Sequence, residues 1–209
     1  EDLDSLDKKE KLALGKDTHT LFHKTFYQRI SEAWPEFENL YKSFIEEIIF
    51  PMFEDDTLIY QSLPNIRFHR PNAKAVYIWH SDGDADHRHP PGEINIFLPL
   101  TKCDETNTMW VESIPGLGDF KPLVMNSGQF FIGYLNRCRH GNKINESSKT
   151  RVSFDFRVVP GFAYDNAFVG RTATTGLEFK VGQYYDKMER EETSKTFDSI
   201  DNNSKGLKK

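Results

Sequence analysis

The spacing of apolar residues changes once along the chain. Between residues 17 and 50 they recur every three or four positions, and from about residue 58 they alternate with polar ones. Leu21, Phe22, Phe26, Ile30, Ala33 and Trp34 share one stripe behind a capping Asp17, which predicts an α-helix. Pro35 suits the first turn of a second helix, with Phe37, Leu40, Tyr41, Phe44, Ile45 and Ile48 on its apolar side.

The alternating region breaks into short runs punctuated by Pro, Gly, Asn and Asp: 65–70, 75–82, 92–101, 107–114, 121–125, 128–135, 141–144 and 150–160, with one more strand within 176–186. About eight strands after two helices predict a mainly β (α+β) chain. The expected architecture is a double-stranded β-helix (a jelly roll, cupin-like) with the N-terminal helices packed on one sheet. Residues 1–16 are expected to be a flexible lead-in, 17–186 a single domain and 187–209 a charged flexible tail.

The strand faces are unequal. In 150–160, Val152, Phe154, Phe156 and Val158 form one face, while Arg151, Ser153, Asp155 and Arg157 form the other. In 92–101, Ile94, Ile96 and Leu98 oppose Glu93, Asn95 and Phe97. Polar faces of this kind suit either solvent or a polar lumen that hosts chemistry.

Composition narrows the classes. A chain of 209 residues with 17 Phe, 8 Tyr and 3 Trp can bury a sizeable core. The net charge of −5 and the lack of a basic stripe exclude nucleic acid as the expected partner. No apolar run is long enough for a membrane helix, and Glu46, Glu47 and Pro51 interrupt the best candidate. Two cysteines, Cys103 and Cys138, are too few for a disulfide framework, so a cytoplasmic protein acting on a small molecule is expected, its oligomeric state left open.

The chemistry starts at "IWHSD". His80 and Asp82 are two apart on a strand, so both side chains project from one face and can reach one ion. A second histidine would complete two imidazoles plus one carboxylate, a set that suits Fe(II) and leaves coordination positions open. His19 and His23 fall on the first helix, and His69 sits between Arg67 and Arg70, a cationic setting. His140 follows a late strand and precedes the Arg151 run, as a closed barrel would need.

The order "WHSD", "NTMWVESIPG", His140 and then "RVS", with Arg151 eleven residues after His140, resembles the H-x-D…H…R-x-S pattern of the 2-oxoglutarate-dependent Fe(II) dioxygenases. Asn107, Trp110, Pro115 and Gly116 are similar to its phytanoyl-CoA dioxygenase branch, which includes relatives in antibiotic and sugar biosynthesis. The resemblance spans about residues 60–160. It implies that His80, Asp82 and His140 are catalytic and bind Fe(II), and that Arg151 and Ser153 hold the distal carboxylate of 2-oxoglutarate. Arg suits that task because its planar fork pairs bidentately with a carboxylate. With O2 as the other co-substrate, the implied outcome is hydroxylation of a small polar metabolite (a sugar, an amino acid or an aminoglycoside-like compound), with release of succinate and CO2. Retention of Asp82 favours hydroxylation over halogenation, while desaturation and cyclisation use the same residues.

Further residues are expected near the pocket: Asn95 at the co-substrate, and Arg67, His87, Trp110 and Glu112 at the substrate. A rival reading takes His87, His89 and Glu93 as the H-x-H-x-x-x-E motif of a metal-binding cupin, an isomerase or a dioxygenase independent of 2-oxoglutarate. Pro90 and Pro91 interrupt the strand this needs, and Ser81 stands where cupins place glycine. A non-catalytic jelly-roll binding module is the third reading.

Overall fold

The structure, a computed structural model, describes residues 20–75 and 79–190. The expected lead-in 1–16, the Asp17 cap and the tail from 191 onward lie outside the described residues. Among those described, two α-helices precede nine antiparallel strands, a mainly β arrangement in two sheets.

Helix α1 (Leu21–Ser31) starts at Thr20, whose hydroxyl accepts from the His23 N–H at 3.4 Å. Ala33 takes a left-handed φ of 62° to reverse the chain, and Pro35 opens α2 (Pro35–Phe44). A π-helical turn, Ile45–Ile49, and a 3-10 turn, Phe50–Met52, follow directly. The π-turn corrects the expected stripe. Its wider spacing brings Ile45 and Ile49 onto the buried side, while Leu40 and Ile48 are exposed. Leu21 of the first stripe is exposed as well.

Strand β8 (Arg151–Pro160) organises the larger sheet. One edge pairs with β3 (Ile94–Pro99), which carries β6 (Phe131–Gly133) on its far side. The other edge pairs in succession with β2 (Asn65–His69) and β1 (Thr57–Gln61), and β1 also pairs with β9 (Tyr185–Glu189). The smaller sheet is β5 (Lys121–Pro122), β4 (Met109–Val111) and β7 (His140–Asn142), in that order. Three results differ from the sequence expectation. Of the strand expected over 75–82, residues 76–78 lie outside the described residues and 79–82 hold only an isolated bridge at His80. β1 was not among the anticipated strands, and β9 runs past residue 186, where the tail was expected to begin.

The unequal faces of β8 are now explained. Phe156 and Val158 pack with Ile45, Ile49 and Phe50 behind α2, while Val152 and Phe154 pack with Phe26, Phe37, Ile66 and Phe68. The helices therefore cover the outer face of the larger sheet, each fully buried large apolar side chain contributing about 1.5–3 kcal/mol. The inner face holds Arg151, Ser153, Asp155 and Arg157. Between the sheets, Phe97 of β3 meets Met109 and Val111 of β4, with Leu135, Cys103 and Cys138. Both cysteines are free and buried. No helix among the described residues is long and apolar enough to cross a membrane.

Candidate metal centre

His140 opens β7, and His80 pairs with it through two backbone hydrogen bonds, N–H to O at 3.0 and 2.8 Å. Directly opposed residues of paired strands project to one side, so the two rings meet with centroids 4.5 Å apart. Two residues beyond His80, the Asp82 N–H donates to the Leu135 carbonyl at 3.0 Å, which turns the carboxylate under both imidazoles. Asp82 Oδ1 lies 3.4 Å from His80 Nε2 and 3.6 Å from His140 Nε2. Three donor atoms thus converge within 4.8 Å of one another, from residues sixty positions apart in sequence. Two imidazole nitrogens and a carboxylate oxygen fit a divalent transition metal with open positions, Fe(II) among them.

His140 and Asp82 are each held by partners behind them. His140 Nδ1 lies 3.2 Å from the Cys138 carbonyl, so its proton sits there and Nε2 keeps its lone pair. Burial lowers the His140 pKa to about 4 against the opposing pull of Asp82, so the ring is neutral. Asp82 is 1% exposed, and its second oxygen, Oδ2, accepts from three donors. These are Asn95 Nδ2 at 2.7 Å, Arg157 Nη2 at 2.8 Å and Arg157 Nε at 3.0 Å. Burial alone would raise the Asp82 carboxyl, but the Arg157 guanidinium, with the two imidazoles, holds it well below its usual range.

The polar network continues along the inner face of the larger sheet. Arg157 Nη1 donates to Asp155 Oδ2 at 2.8 Å, and Asp155 also accepts from Arg67 Nε at 2.8 Å and Asn65 Nδ2 at 2.9 Å. Burial pushes the Asp155 carboxyl up, yet Arg67 and Arg157 together depress it. Burial of Arg157 likewise works against its charge, and Asp82 and Asp155 restore it.

A cavity of about 580 Å³ opens onto this cluster. Its wall includes His80, Asp82, His140, Asn95, Arg151 and Arg67, with Phe97, Met109 and Leu135 supplying apolar surface. Arg151 is 2% exposed, with its guanidinium carbon 5.3 Å from the Phe97 ring centre. Ser153, on the same face of β8, is fully buried, and its Oγ finds no hydrogen-bond partner among the described residues. A buried hydroxyl in that condition is costly unless a ligand completes it. His69, opposite Arg151 in the β2–β8 register, has its two ring nitrogens at the Asn107 and Ala73 carbonyls, 3.1 and 3.0 Å away. It is therefore a buried structural imidazole, outside the metal cluster.

Of the expected pocket residues, Asn95, Arg67 and His87 line the cavity, while Trp110 and Glu112 lie elsewhere. Asn95 lines the cavity, but its amide nitrogen is engaged with Asp82 rather than open to a co-substrate. Arg67 lines the cavity in its ion pair with Asp155. Trp110 and Glu112 do not line it. Val111 is in register with His140, so the period of two turns its neighbours Trp110 and Glu112 to the opposite face. There the Trp110 N–H donates to the Glu105 carbonyl, with Lys143 Nζ 3.4 Å above the ring. Glu112 accepts the Arg139 and Gly118 N–H groups at 2.6 and 3.1 Å, tying down the loop after β4.

The histidines of the 83–91 loop separate. His87 stacks on His80 with ring centres 4.1 Å apart and Nδ1 2.8 Å from Asp84 Oδ1. His89 Nδ1 lies 2.7 Å from Glu93 Oε2, and the Tyr185 hydroxyl donates to Glu93 Oε1. His87 is thus not a third member of a His89–Glu93 set, and the three-ligand cupin motif is not assembled; Asp82 stands near His89 and Glu93 instead. The reversal occurs at Arg88, whose φ is 53°.

Four contributors carry no role in the sequence reading. Arg157 shares the period-two face of Arg151, which is the one signal that marks it. Asn136 donates to the Pro90 carbonyl at 2.8 Å and so ties the loop to the turn before β7. Gly83 sits where a Cβ would come 2.6 Å from Asn136 Oδ1 and 2.8 Å from its carbonyl oxygen. Tyr185 reaches Glu93 from β9. Nothing local marks the last three.

No family model matches the chain. The streptomycin biosynthesis protein StrG of Streptomyces griseus is 29% identical over 187 residues, covering 89% of this chain and 86% of that protein. Among solved structures, the nickel complex of the non-heme monooxygenase ThoJ aligns with a TM-score of 0.43 and 16% identity, over 65% of this chain and 58% of the other. EvdMO1 aligns with a TM-score of 0.45 and 18% identity, over 62% of this chain and 33% of the other. The chain spans less than two thirds of the length of both solved proteins.

Proposed function

We propose that the chain is a non-haem oxygenase that uses Fe(II) and 2-oxoglutarate to hydroxylate a small polar metabolite, on a double-stranded β-helix. The observation that carries this reading is the convergence of His80 Nε2, His140 Nε2 and Asp82 Oδ1 on the wall of a cavity that also contains Arg151. The identity to a streptomycin biosynthesis protein supports a place in the making of a specialised metabolite.

Bound Fe(II) would supply the oxygen-activating chemistry, in which O2, 2-oxoglutarate and a substrate C–H bond give succinate, CO2 and a hydroxylated product. The chain's own residues do the positioning. His80 and His140 offer ring nitrogens, that of His140 neutral, and Asp82 offers one oxygen while its other is held from behind. Arg151, charged and buried, pairs with the distal carboxylate of 2-oxoglutarate, and Ser153 Oγ donates to the same group. Phe97, Met109 and Leu135 keep that part of the cavity dry, which strengthens the ion pair. His87 and Arg67, both on the cavity wall, would face the substrate.

Anaerobic addition of Fe(II) and 2-oxoglutarate to the purified protein tests this directly. A weak visible charge-transfer band, and succinate release once air is admitted, are expected. Absence of the band together with no calorimetric binding of 2-oxoglutarate would overturn the reading.

A further inference from the structure

A second group of ligand-capable atoms adjoins the first. Asp82, His89 and Glu93 bring an imidazole nitrogen and two carboxylate oxygens within 4.8 Å of one another, with Asp82 and Glu93 1% and 0% exposed. On donor chemistry alone, a divalent ion could sit there and share Asp82 with the first, giving a carboxylate-bridged pair of metals.

The surroundings argue against that second ion. Asp82 directs Oδ1 to His80 and His140, so the oxygen left for His89 and Glu93 is Oδ2. That oxygen is already taken by Arg157, through Nη2 at 2.8 Å and Nε at 3.0 Å. Arg157 cannot swing away freely, because Nη1 is tied to Asp155 at 2.8 Å. Its guanidinium stays protonated under all ordinary conditions, so it is a permanent positive charge against the second cluster. Both Glu93 oxygens also have partners within the chain, His89 Nδ1 and the Tyr185 hydroxyl.

We propose that Arg157 acts as a built-in cation and positioning residue: it turns Asp82 so that only Oδ1 is offered to a metal, and it keeps a second ion out of the Asp82–His89–Glu93 cluster, making the centre mononuclear. This rests on His80, Asp82 and His140 being the metal ligands. It assigns Arg157 a role distinct from that of Arg151, although both belong to one face of one strand.

Anaerobic titration of metal-stripped protein with Co(II) tests it, with stoichiometry read by calorimetry and ligand geometry by the visible d–d absorption. Wild type is expected to bind one Co(II) per chain. Arg157→Gln is expected to bind two, with affinity at the first site ten- to a hundredfold weaker and an altered d–d spectrum. Adding His89→Ala to Arg157→Gln is expected to restore a stoichiometry of one. Arg157→Lys keeps a charge without the fork, so one ion should bind at least tenfold more weakly than in wild type.

Wild type binding two ions overturns the proposal, as does Arg157→Gln binding a single ion with unchanged affinity and spectrum. If circular dichroism shows Arg157→Gln unfolded, Arg157→Lys decides, and unchanged affinity there overturns the positioning role. Wild type binding no Co(II) removes the metal reading of His80, Asp82 and His140 altogether. One ion in wild type with both Arg157 variants unaltered leaves that reading standing and removes only this inference.

Discussion

Asp82 Oδ2 and the Asn95 amide nitrogen are 2.7 Å apart, inside a larger sheet to which Asp82 does not belong. The contact joins the carboxylate of the candidate centre to the strand beside β8. Asn95→Ala deletes one of three donors on Oδ2 and leaves Arg157 in place, so Co(II) affinity is expected to fall about tenfold with the fold retained. Calorimetric titration measures the first effect and circular dichroism the second.

Arg151 and Ser153 are predicted to differ in weight. Arg151→Ala removes the only charge proposed for the distal carboxylate, and the half-saturating concentration of 2-oxoglutarate should rise by at least a hundredfold. Ser153→Ala removes one neutral donor, worth about 1 kcal/mol, so a shift of roughly fivefold is expected. Succinate release against 2-oxoglutarate concentration reads both.

His87 stacks on a proposed ligand without being one. His87→Ala should leave Co(II) affinity within a few-fold of wild type, whereas Asp82→Ala should abolish both binding and succinate release. Loss of metal in His87→Ala with retention in Asp82→Ala would instead favour the cupin reading.

Gly83→Ala tests the join between the loop and the turn before β7. The added methyl group would meet backbone as well as side chain of Asn136, with the carbonyl oxygen 2.8 Å away, so something must shift. A cost of about 1–3 kcal/mol is expected, seen as a lower Tm by calorimetry.

Acid should weaken the metal-free protein between about pH 6.5 and pH 4. Burial, reinforced by Arg151, lowers His69 to about 4, and burial lowers His140 to about 4 as well. In that window the unfolded chain binds protons that the folded one refuses, so stability rises with pH. The stabilisation is fully present above the unfolded pKa and is lost as pH falls toward the folded one. His69→Gln should therefore show a shallower fall of Tm between these pH values than wild type.

Much of this was legible along the chain. Helix and strand periodicity marked two helices and an antiparallel β region, and the alternation in 150–160 separated a face that packs on the helices from one that holds charge. The sequence expected His80 and Asp82 to meet on one face of a strand; in the structure His80 makes only an isolated bridge to His140 and Asp82 lies in a turn, held by the Leu135 carbonyl. The inward–outward sense of 107–114 was not legible. Met109 and Val111 form one face, Trp110 and Glu112 the other, and both faces carry groups able to line a pocket. Register against β7, set by residues 29 to 33 positions away, decided that Val111 accompanies His140. The burial of Ile49 in place of Ile48 was equally hidden, because a π-turn leaves no mark in apolar spacing.

The sequence by itself determined which side chains can bind metal or carboxylate and which of them share a strand face, because those properties depend on residue chemistry and on a period of two. Only the tertiary structure decided that Asp82 has one oxygen toward the imidazoles and the other against Arg157. It also decided that His87 and His89 part company. Those outcomes depend on backbone pairing and charge compensation between residues far apart in the chain, where a small shift in position changes which atoms can touch.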